Sequence, residues 1–598
     1  MPLGLADFLK MTDKDKLEQY NPERTISSSF TPTPGRGSLG IAIGVLCLIL
    51  SLFFYYGTVL RVQLGRTALL DLGPYTDAVE YFAQAKAMLR DGWPSIQIGY
   101  DKLPSRYPPG YPALMLPWLK ILPQQDAVLA PFRTNQTIGL LLLLAVFGFY
   151  TYLAMPMTGG FAALLLATLP SFFTYCRSSM SEMGASLFVV LSFMSAYLGL
   201  KEESRWKIYA SAVFLGLSLN IRIQSLFFAP LLLAMALFPV RGTRLRWFLH
   251  CAAIPIVFLL AASPMLVLNI IQFHSPLKTG YDFWVPYWSE HHLLFSVRYI
   301  PYNAAALWRE FALYSNGYHS ANIFGTGTSF VAAFIILICV GFFFIRITRY
   351  TSCSLLACLT FLLVMLSHNY KLVDTRYYVP LLIILIAVAV LPVTWAAKNL
   401  FSAKRIIPAL AIFVVFAAAC LGYPSRSGYN TVQTDRSQAW DALNFTSRPS
   451  RSVRFRAVEQ LIDRVGEQPG IVLSDIDPVY LNALLPNQFV AAPVDEMHDY
   501  RYSELWRYGK SEALAFAQKG LAAALPVYAL FVPQKEMTSQ LSRLPTISGY
   551  RWSTAENPSD AMILKLIADV AEQNPDLKIK VTNVTMHPVQ TDPRLSTP

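Results

Sequence analysis

The sequence predicts an α-helical polytopic membrane protein of about eleven transmembrane helices with a soluble C-terminal α/β domain. Three observations lead there: overall apolarity, apolar runs of spanning length, and a change to soluble patterning after residue 421. Of 598 residues, 54% are hydrophobic and 14% charged, and the mean hydropathy of +0.40 lies far above that of a soluble globular chain.

A helix crosses about 30 Å of hydrocarbon with roughly 20 residues. Runs of that kind are expected at 38–60, 135–154, 158–175, 183–200, 207–221, 225–240, 247–271, 326–345, 352–368, 377–396 and 405–421. The first is too long, and its flanks too unlike a signal peptide, to be a cleaved leader. Ahead of it, residues 1–37 end in FTPTPGRGS and read as a flexible cytosolic tail.

The basic residues orient the spans. With the N-terminus cytosolic, the short inner loops hold Lys201, Arg205, Lys207, Arg241, Arg244, Arg246, Arg346, Arg349, Lys398, Lys404 and Arg405, against only Glu202 and Glu203. This is the positive-inside pattern. It accounts for a net +9 of the formal +12, so the surplus orients helices rather than forming a nucleic-acid-binding face. The transmembrane module is thus 38–421, with outer loops at 61–134 and 272–325, and residues 422–598 lie outside. In that last segment RFRAVEQLIDRV has helical periodicity, while IVLSDI, QFVAAPV and YALFV read as short buried strands. An α/β domain is expected from about 450 to 570, followed by a polar tail. Asp475 and Asp477 follow a strand and are read as turn and cap residues in preference to a second site at strand ends. All seven cysteines lie in or beside spans, so no disulfide framework or CxxC metal site is implied.

Candidate chemistry gathers on the outer side. In TDAVEYFAQAKAML, a helix from about Tyr75 places Asp77, Glu80, Tyr81, Gln84 and Met88 on one face, opposite Val79 and Phe82. Asp77 is either a helix cap or a carboxylate placed for chemistry. Arg106 and Tyr107 precede a Pro-Pro-Gly turn in SRYPPGYPALMLPW. Glu182, in RSSMSEMGASLF, must be paired or face water at its depth, and Arg177 is the simplest partner. Arg222, in LGLSLNIRIQSLFF, suits a lipid phosphate that takes two parallel hydrogen bonds, or else snorkels to the interface.

Two further segments complete the outer side. His274, His291 and His292 lie in an aromatic stretch without zinc-site spacing, which reads as an interface belt or a sugar-stacking surface. HNYKLVDTRYYVP carries Arg376 and Tyr377, with Arg376 either paired by Asp374 or aimed at the same anion as Arg222.

A carboxylate pair, several arginines and many aromatics at one membrane face are what sugar transfer from a lipid phosphate requires. The acceptor hydroxyl needs a base, as Asp77 would be. The departing phosphate needs positive charge, from Arg106, Arg222, Arg376 or a divalent cation. The same arginines and aromatics would serve a transporter or flippase of a lipid-linked saccharide without any base. A non-catalytic membrane scaffold with an outer binding domain is a third arrangement.

The motif order resembles the GT-C superfamily of polyprenyl-phosphate-sugar-dependent glycosyltransferases, in particular bacterial members similar to protein O-mannosyltransferases and lipid A aminoarabinose transferases. DAVEYFAQAKAML is similar to the family's Asp-containing loop and following helix, RYPPGYP to the turn after it, and SMSEMGASLF to its second acidic position. GLSLNIRIQ resembles a Gly-rich span ending in a basic residue, and DTRYYVPLL a late Arg-Tyr-Pro motif. The resemblance covers about 38–421 and implies Asp77 as catalytic base, with Arg106, Tyr107, Glu80, Glu182, Arg222, Arg376 and Tyr377 at the donor phosphate or substrate. One departure stands out: many relatives have two adjacent acids in the first loop, whereas Ala78 follows Asp77 here. The family further implies inversion at the anomeric carbon, a polyprenyl-phosphate-linked sugar donor, a hydroxyl acceptor on a glycan, lipid or protein, and an active site at the periplasmic face of a bacterial inner membrane.

Overall fold

The computed structural model describes residues 37–61, 76–236, 243–284, 291–305, 328–345, 347–369, 375–402, 453–466, 468–476, 478–486, 489–494, 510–531, 544–553 and 562–569, and a few single positions besides. The expected tail over 1–36, most of the expected span at 405–421, the polar C-terminal tail, Asp374 and Asp477 lie outside the described residues. The chain divides into two compact units. One comprises Met1–Pro74, Tyr107–Lys278 and Trp288–Arg448; the other comprises Tyr75–Arg106, Thr279–Tyr287 and Pro449–Pro598. Two stretches of the loops expected on the outer side therefore belong with the C-terminal segment.

In the first unit, six helices among the described residues are long and apolar enough to cross a membrane: Leu39–Leu60, Gln124–Tyr152, Glu182–Lys201, Arg244–Phe273, Arg349–Leu366 and Val379–Ala397. Four other expected spans are shorter or interrupted, and proline explains two of them. The run at 158–175 splits into Pro156–Thr168 and Pro170–Cys176, because Leu169, ahead of Pro170, is pushed to an extended conformation (ψ 119°). Likewise 225–240 becomes a 3₁₀ turn over Ile223–Phe228 and a short helix Pro230–Ala236. The runs at 207–221 and 326–345 appear as Arg205–Ile221 and Thr328–Phe342.

Small residues let these helices touch backbone to backbone. A Cβ on Gly44 would collide with Pro156 O, and one on Gly160 with Gly44 O, which locks Gly37–Tyr55 onto Pro156–Thr168. Between Glu182–Lys201 and Arg205–Ile221, Ser192 Oγ donates to Ser211 O (2.9 Å) while Ser211 Oγ donates to Ser192 O (2.7 Å). Phe228 stacks on Phe361 with centroids 4.3 Å apart. Outward residues stay apolar: Phe53 is 76% exposed and Leu260 66%, values that suit acyl chains and not water.

The second unit is built on a five-stranded sheet in the order β4 (Phe489–Pro493), β3 (Gly470–Ser474), β5 (Val527–Phe531), β7 (Met562–Ala568), β6 (Tyr550–Trp552). The first three are parallel, and β7 and β6 are antiparallel additions. Side chains alternate across the sheet. Ile471 and Leu473 pack with Ala513 and Ala517 of helix Lys510–Ala522, whereas Val472 packs with Ala457 and Leu461 of helix Val453–Val465. Helices on both faces explain why IVLS is continuously apolar.

Onto this sheet docks helix Thr76–Asp91 with the hairpin β1 (Ile96–Ile98) and β2 (Asp101–Leu103). Gly99 N donates to Ala491 O (2.9 Å) and Asn482 Nδ2 to Gln97 O (2.7 Å). Lys86 Nζ donates to Ala483 O and Leu485 O (2.9 and 3.0 Å), meeting carbonyls at the end of helix Pro478–Leu484. Gly99 has φ +58°, and a Cβ there would strike the Phe516 ring, so glycine is required twice over.

Candidate functional site

Expected site residues come together in two clusters, one in each unit. In the sheet unit, helix Thr76–Asp91 carries Asp77 in its first turn, where a carboxylate complements the helix dipole. Asp77 is half-buried, whereas Glu80, three residues on, is wholly buried. Each oxygen of Glu80 accepts two hydrogen bonds. Oε1 takes Ser105 Oγ (2.9 Å) and Arg106 N (2.7 Å), and Oε2 takes Arg106 Nε (2.9 Å) and Nη2 (2.5 Å).

Arg106, expected at a donor phosphate, is thereby turned onto Glu80. The polar helix face expected from spacing is closed over: Glu80, Tyr81 and Gln84 are as buried as Val79 and Phe82. Ser105 and Arg106 are held in turn by the short helix Gly280–Trp284. Trp284 Nε1 donates to Pro104 O (2.7 Å), and Gly280 packs against Ser105 O so closely that a Cβ there would overlap it.

In the helical unit, Glu182 opens helix Glu182–Lys201 and is 1% exposed. It pairs with Arg222, forty positions away. Arg222 Nη1 donates to Glu182 Oε1 and lies 3.4 Å from Ser181 Oγ; Arg177 lies over the Phe173 ring at 5.2 Å. The reason is backbone direction. Helix Arg205–Ile221 ends with Arg222 in extended conformation, which sends its side chain across to the start of the neighbouring helix. The Arg222 guanidinium also lies 5.0 Å above the Tyr377 ring. A pocket opens here, lined by Glu182, Ala185, Arg222, Gln224, Ser225, Phe228, Phe361, Tyr377 and Pro380. The Arg222–Glu182 ion pair forms the polar side of this lining, and Phe228, Phe361 and Tyr377 the aromatic side.

Tyr107 is buried. Arg376 lies in the 3₁₀ turn Thr375–Tyr378, with its side chain outside the described residues. Among the described residues, no group of three or more His, Cys, Asp or Glu side chains is arranged to hold a metal ion. His274 terminates helix Arg244–Phe273 in the left-handed region. His368 packs against Phe295, and burial lowers its pKa to about 4, so it is neutral at ordinary pH.

Sequence reasoning passed over Ser105, Ser181, Asn220, Gln224 and Ser225. The first two adjoin expected residues, and adjacency was the available signal. Asn135 was missed as well: its Nδ2 donates to Ser178 O (2.8 Å) and Met180 O (2.7 Å), tying down the turn that leads into Glu182.

No family model matches the sequence, and no curated protein matches it. Among solved structures, the chain is similar to ArnT from Cupriavidus metallidurans bound to undecaprenyl phosphate, at 14% identity and a TM-score of 0.52, over 87% of this chain and 97% of that one. The same protein in its apo state gives a TM-score of 0.47 at 13% identity, over the same shares of the two chains. The Archaeoglobus fulgidus oligosaccharyltransferase in complex with Zn and sulfate gives 0.48 at 11%, over 87% of this chain and 72% of that one. At these identities the likeness is one of fold. ArnT has the GT-C fold, the one implied by the motif order in the sequence.

Proposed function

We propose that this chain is a membrane glycosyltransferase that moves a sugar from a polyprenyl-phosphate donor to a hydroxyl acceptor at the outer face of a bacterial inner membrane. The observation that carries the reading is the likeness of fold to an enzyme whose structure holds undecaprenyl phosphate, extending over 97% of that chain. The pocket at Arg222 supports it, because a guanidinium beside aromatic and aliphatic side chains suits a phosphate with a hydrocarbon tail.

In this scheme Asp77 takes the proton of the acceptor hydroxyl as its oxygen attacks the anomeric carbon. The bond from that carbon to the donor phosphate oxygen breaks, and polyprenyl phosphate leaves with the electron pair. Arg222 meets the charge that builds on the phosphate, and Glu182 and Tyr377 hold its guanidinium. Arg106 and Glu80, each buried and bonded to the other, fix the helix that carries Asp77. Of those two carboxylates Asp77 is the one that keeps accessible surface. The C-terminal segment, sharing a unit with Asp77, helps to select the acceptor.

The test is incubation of the full chain in proteoliposomes with a panel of polyprenyl-phosphate sugars, following sugar transfer and release of polyprenyl phosphate together. Release matched to transfer is expected. Movement of the lipid-linked sugar between leaflets without release would instead identify a flippase and overturn the assignment.

A further inference from the structure

The side-chain amide of Asn220 stands where helix Arg244–Phe273 cannot close on itself. Proline has no N–H and its ring crowds the carbonyl four residues back, so Pro264 opens the hydrogen-bond ladder of that helix. Met265 N donates to Asn220 Oδ1 (2.9 Å). Ala261 O, the ordinary helical acceptor for Met265, receives Asn220 Nδ2 (2.7 Å), which also lies 3.0 Å from Gly216 O in its own helix. Backbone groups freed inside a bilayer find no water and must be met by a neighbouring element. One carboxamide, in a residue only 5% exposed, meets a donor and an acceptor at once.

Asn220 is also held from its backbone side. Gly110 packs against its carbonyl so closely that a Cβ at Gly110 would lie 2.5 Å from Asn220 O. Gripped on both sides, the last turn of Arg205–Ile221 has a fixed height and rotation. Arg222 follows at once: its N donates to Ser218 O (2.9 Å), its backbone turns extended (φ −146°, ψ 123°), and its side chain reaches Glu182. Arginine is long and has many rotamers, so where its Cα starts decides where its guanidinium can arrive.

We infer that Asn220 is a positioning residue for Arg222, using the opening at Pro264 as the fixed point from which the guanidinium is aimed. The inference rests on the reading of Arg222 as the donor-phosphate ligand. It differs from ordinary helix packing in one respect: the fixed point is needed for ligand binding even where the proline no longer needs the carboxamide.

The experiment measures undecaprenyl phosphate binding to the purified full chain by tryptophan fluorescence, alongside thermal melting. Asn220→Ala is expected to lower the melting temperature and weaken binding about tenfold, the scale of one lost charge-assisted contact. Adding Pro264→Ala lets the helix close its own bonds, so melting recovers while binding stays about tenfold weak. Recovery of binding together with melting in the double variant would show a merely structural role, and normal binding by Asn220→Ala would remove the inference outright. Arg222→Ala separates the premise: if it binds undecaprenyl phosphate normally, the reading of Arg222 falls and this inference with it. If it binds poorly while Asn220→Ala binds normally, the inference alone falls.

Discussion

Arg106 closes on Glu80 with its backbone N–H and its guanidinium at once, so a single carboxylate ties the segment after the hairpin to the helix that bears Asp77. Both partners are buried, at 4% and 0% exposure. Removing either one alone leaves an uncompensated charge, at a cost of about 3–5 kcal/mol. Glu80→Ala and Arg106→Ala are each expected to destabilise by that amount, and the double variant by clearly less than the sum, as read from a thermal-melting double-mutant cycle.

Gly280 supports the same pair from outside. Its Cβ position overlaps Ser105 O and falls against Arg106 Cα. Gly280→Ala therefore forces the segment to shift, at about 1–3 kcal/mol. The expected result is a lower melting temperature with a matching drop in sugar transfer. Trp284→Phe, which loses only the bond to Pro104 O, should cost about 1 kcal/mol.

Lys86 gives a pH dependence. Burial lowers its pKa to about 8 although two carbonyls accept from its ammonium. Below pH 8 both folded and unfolded chains carry the proton, and the cost of burying the charge is present in full. Between about 8 and the ordinary lysine value of about 10.4, the folded form has released its proton while the unfolded chain keeps it, so that cost is relieved and stability rises with pH. The melting temperature of wild type relative to Lys86→Met should increase across that window.

Tyr377 lies under the Arg222 guanidinium at 5.0 Å. Tyr377→Leu removes the ring and its quadrupole, worth about 0.5–2 kcal/mol. Donor KM is expected to rise correspondingly with kcat little changed, measured at saturating acceptor.

Much of this architecture is legible in the sequence, and the limits have physical causes. Runs over 38–60, 247–271 and 377–396 are visible because no Asp, Glu, Lys or Arg interrupts them, and each is a helix of spanning length. The run at 158–175 reads the same way, yet Pro170 breaks it, since hydropathy is blind to a turn flanked by apolar residues on both sides. Helix Thr76–Asp91 follows from its spacing, whereas the burial of its polar face depends on Ser105 and Arg106, which only the fold brings back to it. Glu182 is evident as a carboxylate in need of a partner; that Arg222 reaches it depends on how helix Arg205–Ile221 ends. The membership of 75–106 and 279–287 in the sheet unit has no local signature at all.

The most direct test of the central claim is sugar transfer from a polyprenyl-phosphate donor by Asp77→Asn in proteoliposomes, with undecaprenyl phosphate binding measured on the same preparation. If Asp77 is the base, transfer falls by about 10²–10⁴-fold while binding is unchanged. Transfer at the wild-type rate would contradict the account.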